Sequence, residues 1–572
     1  ESEDRLAAYL ARLHNLVGDR PLVMAELGLD SRRNGLEAQA ASLAWQVGTA
    51  MRAGCAGAFV FAWSDAWHRG GADIDDWDFG LVTRDRRPKP ALDAIRVAFA
   101  DAPFPRAAPW PRVSVVVCSR NGERTLRECL DGILALDYPD FEVILVDDGS
   151  TDRTAEIGRD AGVRVVSAGG RGLGHARNVG LEAATGEIIA YIDDDAYPDP
   201  HWLRYLAAVF LETDCVGAGG PNLPPPDDRL VAGCVAHVPG GPTHVLLTDT
   251  VAEHVPGCNM AFRVDALREI GGFDPRFRVA GDDVDVCWRI RARGWTLGYH
   301  PAAVVWHRRR DTIRAYWRQQ RLYGHAEAIL AEKWPERYNA AGHVPWAGRI
   351  YASAPAPRRR SRRRRVFHGT WGSAPFQSVY DRGPGPLHSL ATVPEWLLVV
   401  GALLALAAAG LVWPARVVLP VLALAAGVPF AHAATRAAAA ARAGRIERVG
   451  EGALRWVLVA VLHLIQPIAR LRGRLQGGLT PWRSGGRVSA LPVPRTATLW
   501  SETWRAPEAR LTALEAALHA ERLSTTRGDP FDRWDLDVRG GVLGGVRILS
   551  DVEEHGAGRQ LTRFRLRPHP AP

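Results

Sequence analysis

The chain has 572 residues, 47% of them hydrophobic, and a formal net charge of +8. That length supports several domains with ample cores. The seven cysteines are scattered with no CxxC or other metal spacing. This excludes a disulfide framework and indicates buried thiols of a reducing compartment. The chain opens on Glu1 with no signal peptide, so it is expected to begin partway through a longer protein.

In chain order, Leu22-Val23-Met24-Ala25-Glu26-Leu27-Gly28 is predicted as a strand ending in a carboxylate. Residues 38–53 have helical periodicity, and Ala58-Phe59-Val60-Phe61-Ala62-Trp63 is a second strand, followed by Ser64-Asp65-Ala66-Trp67. Asp78-Phe79-Gly80-Leu81-Val82 then precedes Arg87-Pro88-Lys89-Pro90-Ala91-Leu92 and a last helix. Residues 1–103 resemble the final two β/α units of a retaining, clan A (β/α)₈ glycoside hydrolase, as in the β-galactosidase and β-glucuronidase families. The resemblance implies Glu26 as the nucleophile that ends the seventh strand and Trp63 as the ring that stacks on sugar. The alternative is a small α/β cap without carbohydrate ancestry. Retaining hydrolysis needs two carboxylates about 5–5.5 Å apart, and the partner would come from a fourth strand outside this segment. A full barrel takes about 250 residues, so the segment is expected not to hydrolyse glycosides.

Residues 104–112 are Pro-rich and read as a linker. Val113-Ser114-Val115-Val116-Val117 is a β-branched strand that breaks at Cys118-Ser119-Arg120-Asn121-Gly122. A helical pattern runs from Thr125 to Leu136. Phe141 to Val146 is a second strand, ending in Asp147-Asp148-Gly149-Ser150, and Thr151-Asp152-Arg153-Thr154 opens another helix. Val163-Arg164-Val165-Val166 is a third strand, followed by the loop Gly169 to Gly174. Ile189-Ala190-Tyr191-Ile192 then ends in Asp193-Asp194-Asp195. Strands alternating with helices predict a parallel sheet with ligands at the carboxyl ends of the strands. Three consecutive carboxylates are costly unless a cation neutralises them, and Mg²⁺ takes one or two carboxylates plus substrate phosphates. Taken alone, the triplet fits either a metal–diphosphate site or an acidic, solvated turn.

Residues 113–335 resemble the family 2 glycosyltransferases, which have the GT-A nucleotide-sugar fold. The resemblance rests on Val115 to Asn121, Val146 to Asp152, Ala176-Arg177-Asn178-Val179-Gly180 and Asp193-Asp194-Asp195. It continues in Gly257-Cys258-Asn259-Met260-Ala261-Phe262-Arg263, Gly271-Gly272-Phe273-Asp274 and Gly281-Asp282-Asp283-Val284-Asp285. It implies that Ser119, Asn121 and Glu123 hold the base and ribose, that Asp148 accepts a hydrogen bond from the base, and that Arg177 lies near the diphosphate or ribose. Asp193 and Asp195 flank the DxD pattern, Asp193 also facing the nucleotide sugar, with Asp195 implied as the nearer ligand of Mg²⁺ or Mn²⁺. Asp283 is implied as the catalytic base. His307 is a further metal ligand, faces the acceptor, or is a surface residue beside Arg308-Arg309-Arg310.

Sugar transfer needs the departing diphosphate stabilised, which a bound cation does as a Lewis acid, and an acceptor hydroxyl deprotonated as it attacks. One base with direct attack inverts the anomeric centre. The like charges of Asp282 and Asp285 are expected to raise the pKa of Asp283. Asp282 stands where many relatives have Glu. The QxxRW signature of processive synthases is replaced by Gln319-Gln320-Arg321-Leu322-Tyr323-Gly324, which argues against a cellulose- or hyaluronan-type polymerase.

Residues 312–334 have helical spacing, predicted to pack on the sheet or lie on a membrane surface. Residues 336–393 form a basic Pro/Gly-rich linker with the run Arg358 to Arg365, read as facing anionic lipid, with no nucleic-acid motif beside it. Residues 394–470 are the membrane segment, two or three helices: Trp396 to Trp413, Val417 to Ala434, and the shorter Leu454 to Ile468, interfacial or a weak third span. Basic flanks on both sides of the first pair predict a multi-pass protein of the cell or inner membrane, its catalytic domain cytoplasmic. Residues 471–498 are a linker, and 499–572 a small α+β domain with a helix at 507–523 and strands near 534–538, 542–549 and 561–566. Glu553-Glu554-His555 reads as a solvated turn or, less simply, a metal site.

The expected activity is metal-dependent inverting transfer from a nucleotide-sugar donor to a cell-envelope glycan or glycoconjugate. The competing readings are a polyprenyl-phosphate glycosyltransferase with a lipid-linked acceptor, a glycan-remodelling hydrolase acting through the intact barrel of a longer parent, and a carbohydrate-binding scaffold.

Overall fold

The computed structural model describes residues 2–105, 108–338, 342–344, 346–348, 394–408, 415–443, 451–479, 493–521, 523–528, 534–539 and 544–570. The run Arg358 to Arg365 lies outside the described residues.

In the N-terminal part, β1 (Val23–Leu27) and β2 (Gly57–Val60) pair in parallel across the helix Leu36–Arg52. Leu43 and Val47 of that helix pack with Leu27, Leu81 and Ile95. A two-residue hairpin, β3 (His68–Arg69) and β4 (Ala72–Asp73), follows. Both predicted strands and their helix are present. Two parallel strands are the whole of this sheet among the described residues, and they do not establish a partial barrel. The unit docks on the next through Arg12, whose Nε lies 2.9 Å from Asp249 Oδ2, and through Tyr205, which donates to the Met51 carbonyl at 3.3 Å.

The centre of the molecule is a mixed nine-stranded sheet. Its parallel half comprises β5 (Val113–Ser119), β6 (Phe141–Asp147), β7 (Arg164–Ser167) and β8 (Ile188–Asp193). The short β9 (Ala196–Pro198), β11 (Asn222–Leu223) and β16 (Val305–His307) form a separate three-stranded sheet beside it. The other half of the large sheet comprises β10 (Gly217–Gly219), β12 (Val245–Leu246), β13 (Val251–His254), β14 (Asn259–Arg263) and β15 (Leu297–Tyr299). The order is β12-β13-β15-β10-β14-β8-β5-β6-β7.

The strand period of two divides the apolar residues between two cores. Val113, Val115 and Val117 pack on one face with Leu126, Leu130 and Trp202. Val116, Ile189 and Tyr191 pack on the other with Met260, Phe262 and Phe273. A strand buried on both faces carries a near-continuous β-branched run, which is why β5 was legible as a strand.

The helix Ile313–Lys333 packs on the long helix Glu451–Gln476 rather than on the sheet. The two backbones meet at glycines: a Cβ on Gly324 would lie 2.2 Å from the Arg470 carbonyl oxygen, and one on Gly473 would lie 1.9 Å from that of Arg321. Polar pairs flank the crossing, with Arg470 Nε donating to Glu327 Oε1 at 2.9 Å and Arg470 Nη1 donating to Gln320 Oε1 at 3.1 Å.

Among the described residues two helices are long and apolar enough to cross a membrane, over Val418–Ala438 and Gly452–Gln476, with mean hydropathies of 1.7 and 1.6. The first overlaps the predicted span Val417 to Ala434, and the second contains the segment read as a weak third span. Trp396–Ala408 is a helix of 13 residues, and the rest of the first predicted span, to Trp413, lies outside the described residues. The segment read as a weak span, Leu454 to Ile468, belongs to a 26-residue helix, of which Gln466 donates to Gln320 Oε1 on the facing helix at 3.3 Å.

The C-terminal part is a five-stranded antiparallel sheet, β17 (Arg495–Ser501), β18 (Ser524–Arg527), β19 (Leu536–Arg539), β20 (Gly544–Glu554) and β21 (Gln560–Pro570), with the helix Pro507–Ala520. Its first two strands were not predicted. Both carry polar or threonine-rich sequence with little apolar alternation. Glu553 pairs with Arg563 at 2.8 Å across the β20–β21 hairpin, and no cluster of metal-ligating side chains forms there among the described residues.

Candidate active site

The polar residues that end β5, β6, β8 and β16 converge at one edge of the central sheet. β8 delivers Asp193. β16 delivers His307, which is buried, not on the surface beside its arginines. β9 pairs antiparallel with β16, setting Ala196 opposite His307, so the aspartate triplet and the histidine are held together. His307 Nε2 lies 3.2 Å from Asp195 Oδ1 and 3.8 Å from Asp193 Oδ2. Arg310 Nη1 donates to Asp195 Oδ2 at 2.8 Å. Burial pushes the Asp195 carboxyl up, but His307 and Arg310 outweigh it and hold the group well below the carboxylate range. Burial also penalises a charged His307, yet Asp195 and Asp193 raise its pKa overall.

Asp193, Cys258 and His307 bring one ligand atom each within 4.8 Å of one another. Asp193 is the open member, its side chain 36% exposed, whereas Asp195 is already engaged by Arg310 and His307. A carboxylate and an imidazole suit a hard or borderline divalent cation. Burial pushes the Cys258 thiol well up, against the thiolate form in which a cysteine ligates a metal. Asp194, between the two DxD carboxylates, is hydrogen-bonded by the Ser119 hydroxyl. Burial and the charge on Asp195 push it up to about 7.

On the nucleotide side of the cleft implied by sequence, Asn121 has a positive φ of 58°, a backbone state that Asn tolerates better than most residues. Its carboxamide oxygen accepts from the Thr151 amide at 2.9 Å, and Glu123 accepts from the Arg153 amide at 3.0 Å. Both side chains thus tie the loop after β5 to the loop after β6. Asp148 is buried; its Oδ2 accepts from the Gly172 amide at 3.0 Å, and its Oδ1 has no partner among the described residues.

Arg177, from the helix Leu173–Ala183, is buried and reaches across the cleft. It forms an ion pair with Asp282, donates to the Gly257 carbonyl at 3.1 Å, and stands 3.5 Å from Asp193 Oδ1. Gly281, with φ 89°, turns the chain into the helix Asp282–Ala292, a conformation that a side chain would strain. That turn sends Asp282 inward to Arg177 and leaves Asp283 22% exposed at the cleft.

Asp283 corrects an expectation. Its neighbours do not raise it. Burial pushes it up, but His254, Arg177 and the Gly257 amide pull it down to about 2. The raised member of the pair is Asp282, which burial lifts to about 6 against the pull of Arg177. Asp285 points away, to Arg289 at 2.8 Å and Lys333 at 2.6 Å.

The structure adds residues that sequence reasoning passed over. Cys258 stood inside a quoted motif without a role, and Arg310 inside a run read as surface. His254 carried no signal beyond its place at the end of a short apolar strand. Glu26 and Trp63 do not join this cleft. Glu26 lines a separate cavity of about 500 Å³ with Arg33, Gln46, Phe61, Trp77 and Phe79, and Trp63 is 59% exposed outside that lining.

A family model described as Glycosyl transferase family 2 matches residues 114–271, so the chain carries a domain of that family. A "Pre-mycofactocin glycosyltransferase" of Mycobacterium tuberculosis is 30% identical over 258 residues, 41% of this chain and 51% of that one. A "Poly-beta-1,6-N-acetyl-D-glucosamine synthase" of Staphylococcus epidermidis is 26% identical over 242 residues, 39% of this chain and 57% of that one. The chain thus spans about half the length of these curated relatives. Among solved structures, a "Mannosyltransferase PcManGT from Pyrobaculum calidifontis in complex with GDP-Man and Mn2+" aligns at 26% identity over 40% of this chain and 67% of that one, with a TM-score of 0.32.

Proposed function

We propose that the family 2 glycosyl transferase domain makes this protein a membrane-anchored, metal-dependent, inverting glycosyltransferase. Its donor is a nucleotide sugar and its acceptor a cell-envelope glycan or glycoconjugate. The observation that carries this reading is the convergence of Asp193, His307, Arg177 and Asp283 in one cleft at the strand ends. A scaffold for binding carbohydrate has no need of that set.

Asp193 and His307, with Asp195 behind them, fit Mg²⁺ or Mn²⁺, and when bound such a cation neutralises the departing diphosphate. Asp148 accepts an N–H of the base, a role supported by its buried, unpartnered Oδ1. Ser119, Asn121 and Glu123 shape the loop that would hold base and ribose. Arg177 adds fixed positive charge beside the phosphates. Asp283 takes the proton of the acceptor hydroxyl as its oxygen attacks the anomeric carbon from the face opposite the leaving group.

A lipid-linked acceptor, such as a polyprenyl phosphate, is favoured by one observation. The helix Ile313–Lys333, whose Tyr323 ring lies 5.4 Å from the Arg470 guanidinium, joins the catalytic unit directly to a candidate membrane helix. This pairing also supports a membrane location, and the basic residues flanking the apolar segments favour a cytoplasmic cleft. In the N-terminal part, Glu26 is the one carboxylate among the residues lining its cavity. A hydrolase-derived remnant there would lack the second carboxylate that retaining hydrolysis requires.

The test is nucleotide release from a panel of sugar nucleotides by the full chain in membranes, with Mn²⁺ or Mg²⁺. Turnover of one donor, lost on chelation and in Asp283→Asn, is expected. Turnover that survives both changes would overturn the reading. Extraction of labelled product into organic solvent would identify a lipid-linked acceptor.

A further inference from the structure

His254 is buried at the end of β13, behind Asp283 as seen from the cleft. Its Nδ1 stands 3.1 Å from the Thr243 carbonyl oxygen, and its Nε2 stands 3.5 Å from Asp283 Oδ2. Both ring nitrogens therefore face oxygen acceptors. A neutral imidazole carries one N–H and one lone pair, so whichever tautomer it adopts, one nitrogen turns a lone pair toward an oxygen. The doubly protonated ring presents an N–H to both sides. The Trp346 ring lies against the imidazole with centroids 5.5 Å apart and limits its rotation.

Asp283 is held at both oxygens. Oδ2 accepts from the Gly257 amide at 3.0 Å and faces His254, while Oδ1 accepts from the Val284 amide at 2.9 Å. Each carboxylate oxygen has two lone pairs. Oδ2 accepts from Gly257 and has His254 Nε2 3.5 Å away, and Oδ1, engaged once by Val284, keeps a lone pair for an acceptor hydroxyl.

We propose that His254 is the positioning residue of the catalytic base: as an imidazolium clamped between the Thr243 carbonyl and Asp283, it keeps that carboxylate ionised and turned so that Oδ1 meets the acceptor. The inference rests on Asp283 being the base, as proposed above. It does not require His254 to touch substrate. In the transfer step the acceptor O–H bond breaks and its proton goes to Asp283 Oδ1. The acceptor oxygen bonds to the anomeric carbon, and the bond to the nucleoside diphosphate breaks with its electron pair leaving on the diphosphate. His254 keeps its protons throughout.

The other charged and titratable groups near the pair are accounted for. Arg177, from the helix Leu173–Ala183, and Asp282, on the same turn, face Asp283. Tyr323 faces it from the helix Ile313–Lys333, Cys258 from just ahead of β14, and Cys287 from one turn further along its own helix. His244 faces His254 from just ahead of β12 and leans on Tyr299, its ring held neutral by burial, at about 4. Glu253, next along β13, turns to the opposite side and pairs with Arg291 at 3.1 Å. Without His254, burial of Asp283 is opposed mainly by Arg177, which already serves Asp282 and Asp193.

The sign of the pH effect follows. Removing His254 leaves burial to raise the Asp283 pKa, so the carboxylate is lost at a higher pH than in the unaltered protein. His254→Leu in the full chain should lower kcat, leave KM for the sugar nucleotide within about twofold, and move the acid limb of the pH–rate profile up by at least one pH unit. His254→Gln, whose amide still donates to Asp283, should recover part of kcat and return the limb toward its original place. A rate that falls equally at every pH, or a glutamine variant no better than leucine, would overturn the proposal and assign His254 a packing role. If Asp283→Asn stays active, the base assignment fails first. An activity-independent measurement covers that branch: ¹⁵N spectra of histidine-labelled protein at pH 7. An imidazolium signal present in the unaltered protein and missing from His254→Leu is expected. A neutral-ring signal for His254 would overturn the proposal whatever the activity.

Discussion

Glu26 and Asp193 both end parallel strands, and sequence marks them alike: an apolar run, then a carboxylate. Their surroundings differ. Glu26 lies exposed on a two-stranded sheet at the rim of an open cavity, among aromatic rings and one arginine. Asp193 lies on a strand flanked on both sides in a nine-stranded sheet, with His307 and Arg177 brought to it from distant segments. A carboxylate at a strand end becomes a reactive site only where enough further elements converge to fix its charge and direction.

The sharpest way to break this comparison is Asp283→Asn, which should lower nucleotide release by about 10²–10⁴-fold, the range of a lost general base. Circular dichroism of the variant should be unchanged. Next, Asp193→Asn or His307→Ala should raise the Mn²⁺ concentration needed for half-maximal rate by at least about 10–100-fold, since losing even a partner of a metal ligand costs that much. A variant with unaltered metal response would remove the residue from the metal site. Gly473→Leu tests the junction with the candidate membrane helix. Its Cβ would meet the Arg321 carbonyl, so a loss of about 1–3 kcal/mol or more is expected, read as a lower Tm in detergent. Glu26→Gln should do least: transfer should stay within about twofold, as for a substitution outside the working site. A large loss there would mean that the N-terminal part takes a share in the reaction.

Much of the central fold was legible because it is written locally. β5 through β8 are continuous β-branched or apolar runs, and each ends in a polar cluster at the edge where the site forms. The matched family domain, residues 114–271, falls within the segment read as the transferase. Legibility failed where a role depends on a partner far along the chain. Asp283 was assigned the wrong direction of shift because only its neighbours in sequence were in view. The groups that decide it are His254 and Arg177. Arg310 read as one of a surface run, yet it holds Asp195 across 115 positions. The segment Leu454 to Ile468 read as a short, weak span, whereas the helix runs from Glu451 to Gln476, its last turns held by Arg470 on Glu327 and Arg474 on Glu395, partners far away in sequence.

The sequence by itself determined the four strands of the parallel half, the order in which they follow, and the class of chemistry their polar ends suit. These follow from side-chain shape and from periods of two and 3.6 residues, which need no knowledge of distant contacts. Only the tertiary structure decided which carboxylates are ionised, which face the cleft, and which histidine stands behind the base. Those outcomes are set by burial and by distances of a few ångströms between groups such as Arg177 and Asp282, 105 positions apart, and electrostatic energy depends on that separation in space rather than along the chain.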